Sequence, residues 1–322
     1  MTDAPPDAVD QRIRDGAFLL VDKPRGPSSH QVTAWVRDLL GVETAGHAGT
    51  LDPNVSGLLW IGVGPALKLL PLVLEFPKRY VASVVLHGDV PVREVERVLG
   101  EFTGPIYQLP PVRSAVKRER RVRTVHRLAL VETDGPRLLL DVTADSGTYV
   151  RTLAVDLGEA LGVGAHMEEL RRVANGPFRE QDSVALSAIA DAAAARTAGD
   201  PGPLVALLHP IEEVWHEFPS IVVKDAAASA LAHGAGLASG GILALPRPFS
   251  AGARVALVSR SGELVATGVA LRGSDQVGHA KHGWVVDETR VFVDPTRFPA
   301  LWHRSARPGT GRPRTREVEG PV

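Results

Sequence analysis

Among the side chains able to do chemistry, Asp52 stands in the most informative setting, Gly46-His47-Ala48-Gly49-Thr50-Leu51-Asp52-Pro53. The proline that follows pushes Asp52 toward an extended backbone, and the glycines ahead of it let another chain approach closely. A carboxylate held on such a loop is presented rather than buried. The chemistry open to one ionised carboxylate is nucleophilic attack or proton abstraction. Taken alone, the eight residues read more readily as a plain Asp-Pro turn between a helix and a strand. The chain has 0 Cys, which excludes disulfides, thiolate zinc sites and a cysteine nucleophile. No paired-histidine spacing points to a metal site.

The second notable feature is basic. Arg113, Lys117, Arg118, Arg120, Arg121, Arg123 and Arg127 stand close together with Glu119 as the only acid among them, and Arg304, Arg307, Arg312, Arg314 and Arg316 follow Trp302. Arginine offers a planar fork suited to phosphate and to base stacking, so Arg113, Lys117, Arg118, Arg120 and Arg121 are candidate RNA contacts. A solvated basic face accounts for the run equally well. The net charge of −1 says nothing of this, because the excess is local.

Positioning Asp52 requires elements on both sides of it. Residues 1–15 read as a flexible lead-in and 17–21 as a short strand. Ser28 with Gln31 three residues on forms a capping box for a helix that runs to Leu40 and stops at Gly41. Residues 44–57 read as a loop and 58–63 as a buried strand, with Pro65 opening the next helix. Strands are expected at 80–87, 138–144 and 166–173, a helix at 91–102, a loop at 104–111, and an arm or hairpin over 113–131. Residues 145–147 form a turn between 138–144 and 149–153, and an Ala-rich helix spans 187–198 before Gly199-Asp200-Pro201-Gly202-Pro203 breaks it. The spacing is too irregular for a doubly wound parallel sheet, so an α+β fold with a mixed, largely antiparallel sheet is expected. A second unit from about Phe218 has one helix capped by Asp225 and short strands near 242–245, 254–259, 263–271 and 284–293, the pattern of a small β-barrel. The last 20 residues are polar and rich in Pro, Gly and Arg, a composition expected to be disordered. The polar, acidic N-terminus and the lack of any run of about 18 apolar residues lead to the expectation of a cytoplasmic protein.

Four segments occur in one order: Lys23-Pro24-Arg25-Gly26-Pro27-Ser28-Ser29-His30, the Asp52 loop, Lys78-Arg79-Tyr80-Val81, and Gly147-Thr148-Tyr149-Val150-Arg151-Thr152-Leu153. Together they resemble the TruB superfamily of pseudouridine synthases. Pro110-Pro111-Val112-Arg113-Ser114-Ala115-Val116-Lys117-Arg118 and the stretch from Gly162 to Arg172 look like its archaeal and eukaryotic dyskerin branch. The resemblance implies that Asp52 is the catalytic aspartate, that Tyr80 stacks on the target base, and that Arg151 pairs with Asp52. Lys23 and His47 fall in motifs that line the site. Ala48, Trp60 and Asp156 depart from the residues commoner at those places. The segments Ile221–Ala227, His233–Ala235, Gly240–Ile242 and Leu264–Gly268 resemble a PUA domain.

The resemblance thus implies a catalytic domain at 16–214, a PUA domain at 218–302 and a basic tail at 303–322. The reaction breaks the bond between N1 of uracil and C1′ of ribose, turns the base and rejoins it through C5. It involves no redox change and no net hydrolysis, so no cofactor is expected. The partners implied are an H/ACA guide RNA, ribosomal RNA and transfer RNA as substrates, and small accessory proteins: zinc-ribbon-like, Gar-type and kink-turn-binding. The rival readings are a stand-alone enzyme acting on the T-loop uridine of transfer RNA and a non-catalytic RNA scaffold in ribosome assembly.

Overall fold

The computed structural model describes residues 5, 7–109, 119–277 and 283–297. The chain divides into two compact units, Met1–Phe218 and Pro219–Val322. The first unit runs in the order α1 (Ala8–Asp15), β1 (Ala17–Lys23), α2 (Ser29–Leu40), β2 (Ala45–Ala48), β3 (Val55–Val63), α3 (Leu70–Glu75), β4 (Lys78–Leu86) and α4 (Val92–Glu101). It continues through β5 (Gly104–Gln108), β6 (Arg121–Asp134), β7 (Arg137–Ala144), α5 (Val150–Ala160), β8 (Ala165–Asn175), β9 (Phe178–Arg179), α6 (Leu186–Thr197), α7 (Gly202–Leu207), β10 (His209–Pro210) and α8 (Glu212–Trp215).

Its strands form one sheet in the order β10-β1-β3-β8-β4-β7-β6-β5, with β2 on β3 and β9 on β8. Only β3 and β8 pair in parallel among the named strands, through Val55↔Leu170, Ser56↔Arg171 and Gly57↔Arg172. This seam joins two halves. On one side, β1 and β3 bury Leu19, Val21, Leu59 and Ile61 against Val32 and Val36 of α2 and Ile189 of α6. On the other, alternate residues of β4, β6 and β7 (Ala82, Val84, Leu128, Leu140, Val142) cover Val95 and Leu99 of α4 and Leu153 and Leu157 of α5. The period of two along β4 sets Tyr80, Ala82, Val84 and Leu86 inward and Arg79 and Ser83 outward.

Where local signals were strong the expected elements form. Ser28 caps α2 by accepting from the Gln31 N–H at 3.1 Å, and Gly41 ends the helix in the left-handed conformation. In this unit four expectations differ. Residues 8–15 are not a flexible lead-in but a helix, because Val9 and Ile13 pack into the β1/β3 core. Residues 45–48 pair with β3, and 104–108, expected as loop, pair with β6, so sheet neighbours override the Gly and Pro punctuation there. Residues 150–160 continue as a helix beyond the 145–147 turn. Residues 113–118 of the basic arm and the tail after Trp302 lie outside the described residues.

In the second unit, six strands form a barrel-like sheet around Ile221, Val255, Leu257, Val265 and Val285, with the helix Asp225–Ala232 packed on it. Its N-cap is Lys224, and Asp225 is the first helical residue without a side-chain cap bond. No helix among the described residues is long and apolar enough to cross a membrane.

Gly57, at the seam, has φ +101°, and a Cβ there would lie 2.3 Å from the Arg172 carbonyl oxygen. Gly57→Ala should therefore destabilise the first unit by about 2–3 kcal/mol, read as a lowered denaturant midpoint with unchanged slope.

Candidate active site

Asp52 lies on the connection from β2 to β3, and the main chain around it is fixed from several directions. Ser29, wholly buried at the start of α2, accepts from the Leu51 N–H at 2.8 Å and donates to the Leu51 carbonyl at 2.9 Å. The Gly26 N–H donates to the Pro53 carbonyl at 2.8 Å, and the Val55 N–H to the Asp52 carbonyl at 3.0 Å. Lys23, also wholly buried, donates to the carbonyls of Pro24 and Pro27, both at 2.8 Å, and lies 3.5 Å from that of Pro53. Burial pushes the Lys23 ammonium below its ordinary value, opposed by the nearby Asp52 charge. The backbone is thus held while the carboxylate turns outward. The Asp52 side chain is 56% exposed and pairs with the guanidinium of Arg151, in the first turn of α5.

Tyr80 faces inward on β4, in register with Arg172 of β8. Its hydroxyl lies within interaction range of the Arg172 side chain. Arg172 is 1% exposed; its Nε donates to the Leu58 carbonyl and its Nη2 to the Gly49 carbonyl, each at 2.8 Å. One guanidinium therefore joins β3, the aromatic ring of β4 and the loop that carries Asp52. Burial pushes its pKa below the usual arginine value, with Tyr80 acting in the opposite sense. Arg172 is not among the residues that the sequence singles out. In Leu170-Arg171-Arg172 it looks like its surface neighbour, and only its register opposite Tyr80 marks it.

Lys78 completes a cationic floor. It is 4% exposed and donates to the Leu74 carbonyl at 2.7 Å and that of Phe76 at 2.6 Å, closing the end of α3. Burial and the Arg172 charge push it down to about 7. Gly49, at φ +75°, fits over this floor: a Cβ there would stand 3.0 Å from Arg172 Nη1 and 3.7 Å from Lys78 Cε.

His47 is brought into the same cluster, but as a brace. The Thr33 hydroxyl donates its proton to the Ser29 carbonyl at 2.7 Å. Its contact with His47 Nδ1 at 2.9 Å therefore needs the proton on Nδ1, which leaves Nε2 to accept from Thr50 Oγ1 at 3.3 Å. Burial, then the neighbouring His30 and Arg172, push the imidazole down to about 4. Of the departures noted in the sequence, Ala48 is buried at the end of β2, Trp60 stacks on Phe18 at 4.9 Å, and Asp156 on α5 is pushed upward by burial and by Glu159.

The structure thus brings Asp52, Arg151, Tyr80, Lys23 and His47 around one loop. Arg120 and Arg121 stand instead at the start of β6 and make no hydrogen bond to that loop among the described residues. Arg113, Lys117 and Arg118 lie outside the described residues. No three His, Cys, Asp or Glu side chains among the described residues gather where they could hold a metal ion.

Residues 37–150 match the TruB family pseudouridylate synthase N-terminal domain, 151–215 the tRNA pseudouridylate synthase B C-terminal domain, and 219–292 the PUA domain. A probable tRNA pseudouridine synthase B of Pyrobaculum arsenaticum is 47% identical over 93% of this chain and 90% of its own length. Its counterpart in Methanothermobacter thermautotrophicus is 44% identical over 91% of each. Among solved structures, a Cbf5-Nop10-Gar1 complex contains a chain 38% identical, with TM-score 0.85, covering 94% of this chain and 93% of that one. An H/ACA ribonucleoprotein bound to a substrate RNA containing 2′-deoxyuridine gives 37%, 0.81, and 92% of each chain. The chain belongs to the TruB family of pseudouridine synthases, enzymes that isomerise uridine in RNA.

Arg172→Lys cannot reach the Gly49 carbonyl, the Leu58 carbonyl and Tyr80 together. Its kcat should fall about 10²-fold, the scale of a small misplacement of reacting groups, while circular dichroism shows a folded chain. For His47, the unfolded chain takes up a proton near the ordinary 6.5 and the folded one only near 4. Stability present above pH 6.5 is therefore lost as pH falls toward 4. Denaturant midpoints should fall more steeply over that window for the unaltered chain than for His47→Gln.

Proposed function

We propose that Asp52 is the catalytic carboxylate, Tyr80 the ring that stacks on the target base, and Arg151 the basic residue paired with Asp52. The observation that carries this reading is the outward Asp52–Arg151 pair on a loop pinned by Ser29, Lys23 and Arg172. The N1–C1′ bond breaks, the base turns, and C5 bonds to C1′ as its proton leaves and N1 gains one. No atom is lost overall, so one ionised carboxylate acting on the ribose, as nucleophile or base, suffices. The base has to leave its stack to be reached, and an aromatic face compensates by about 1–3 kcal/mol. Tyr80, whose hydroxyl interacts with Arg172, offers that face.

The enzyme works as the catalytic subunit of an H/ACA ribonucleoprotein on ribosomal RNA positioned by a guide RNA, with accessory proteins of the Nop10 and Gar1 kinds. The near full-length likeness to the catalytic chains of such complexes supports this. The PUA domain, assigned to 218–302 beside a catalytic domain at 16–214, grips the guide. Lys23 and His47 brace the site, and the arm carrying Arg113, Lys117, Arg118, Arg120 and Arg121 contacts RNA in the cytoplasm. The second reading is action on transfer RNA alone, favoured by the name shared by the archaeal relatives.

Asp52→Ala should abolish pseudouridine formation and leave RNA affinity within about threefold, since the carboxylate supplies chemistry rather than phosphate binding. Full activity in that variant would remove Asp52 from the mechanism. Supplying transfer RNA alone, and separately an rRNA fragment with guide RNA and accessory proteins, separates the two substrates. Product only in the first case would overturn the guided reading.

A further inference from the structure

The outer face of the first unit's sheet carries a row of side chains that the catalytic site does not use. Strand registers set five residues abreast: Arg179 of β9 opposite Ala174 of β8, Ala174 opposite Arg79 of β4, Arg79 opposite Thr143 of β7, and Thr143 opposite Arg127 of β6. Arginines alternate with the small residues Ala174 and Thr143, leaving a trough of about 490 Å³. Neighbouring strands lie about 4.8 Å apart, so the row spans roughly 19 Å.

Two of the three arginines are oriented from beneath. Asp141, whose side chain is only 6% exposed, accepts from Arg79 Nε at 2.8 Å and Nη2 at 3.1 Å, and from Arg127 Nε at 2.8 Å. Burial would raise this carboxyl, but the bonds from Arg79 and Arg127 hold it below its ordinary value, so it stays charged. The Arg127 Nη groups and Arg79 Nη1 have no partner among the described residues, and the two side chains are 61% and 50% exposed. Arg179 has only a long contact, 3.4 Å, to the Gly176 carbonyl. Three guanidinium groups set against one carboxylate leave a net positive trough with free forked donors.

We propose that the trough formed by Arg79, Arg127 and Arg179 binds the phosphodiester backbone of RNA, outside the catalytic site. Arginine forks match phosphate oxygens, and a trough crossing five strands suits an extended polyanion better than a single small anion. Tyr80 and Arg79 are consecutive on β4 and point to opposite faces, so one RNA is gripped on the face opposite the one where its uridine reacts. The proposal rests on the RNA-modifying reading of the chain.

The test uses the full chain and a transfer-RNA transcript, with affinity measured across a salt series. Arg127→Gln combined with Arg179→Gln leaves Asp141 paired with Arg79, so the buried carboxylate keeps a partner. Affinity should fall about tenfold and the slope of log K against log salt by about 1–2, one step per lost phosphate contact. The Arg127→Lys, Arg179→Lys pair should retain the slope. An unchanged slope in the glutamine variant would overturn the proposal and assign the trough to an acidic protein segment or to solvent. Equal loss of affinity in both variants without a slope change would mark a structural role and overturn it too. So would saturation of the trough by inorganic phosphate at constant ionic strength while the RNA slope stays unaltered. Loss of the RNA reading itself looks different, because the unaltered chain would then bind no transcript.

Discussion

A guanidinium buried at the junction of the two half-sheets governs the geometry of the catalytic unit. Arg172 is buried away from solvent; it donates to the carbonyls of Gly49 and Leu58 and interacts with the hydroxyl of Tyr80. Burying such a charge is expensive unless its donors are satisfied. The three partners are therefore held to one arrangement, and they belong to the Asp52 loop, the strand that follows it and the strand that carries Tyr80. Loop, strand and ring cannot shift independently.

Charge is arranged differently at depth and at the surface. Beneath the Asp52 loop, Lys23 and Arg172 are buried and satisfied mainly by backbone oxygens, so their positive potential is little screened. On the outer face cations are mostly matched to acids, as in Arg137–Glu168 and Arg171–Asp22. Exposed pairs of that kind contribute little to stability. The potential that matters to a polyanionic substrate therefore comes from groups hidden from solvent and from the few arginines whose forks remain open.

Much of this was legible in the residues because the signals were local. Ser28 and Gln31 announced a helix start, and Asp52 before Pro53 announced a presented carboxylate. What the sequence concealed depended on partners far along the chain. Arg172 becomes distinctive only opposite Tyr80. Residues 104–108 become a strand only beside β6, and 8–15 become an ordered helix only because Val9 and Ile13 find the β1/β3 core. Asp225, a good cap by residue type, lost that place to Lys224, whose extended backbone comes one residue earlier.

The strict alternation of β4 has a consequence for how the gene can vary. Lys78, Tyr80 and Ala82 point one way and Arg79 and Ser83 the other, with β7 and β8 hydrogen-bonded along both edges. Adding or removing a single codon near its start would exchange the Tyr80 ring for a guanidinium on the inward face and bring apolar methyls out to solvent. Length changes in this lineage should therefore collect in the connections between strands, while this stretch keeps its residue count even where its letters drift.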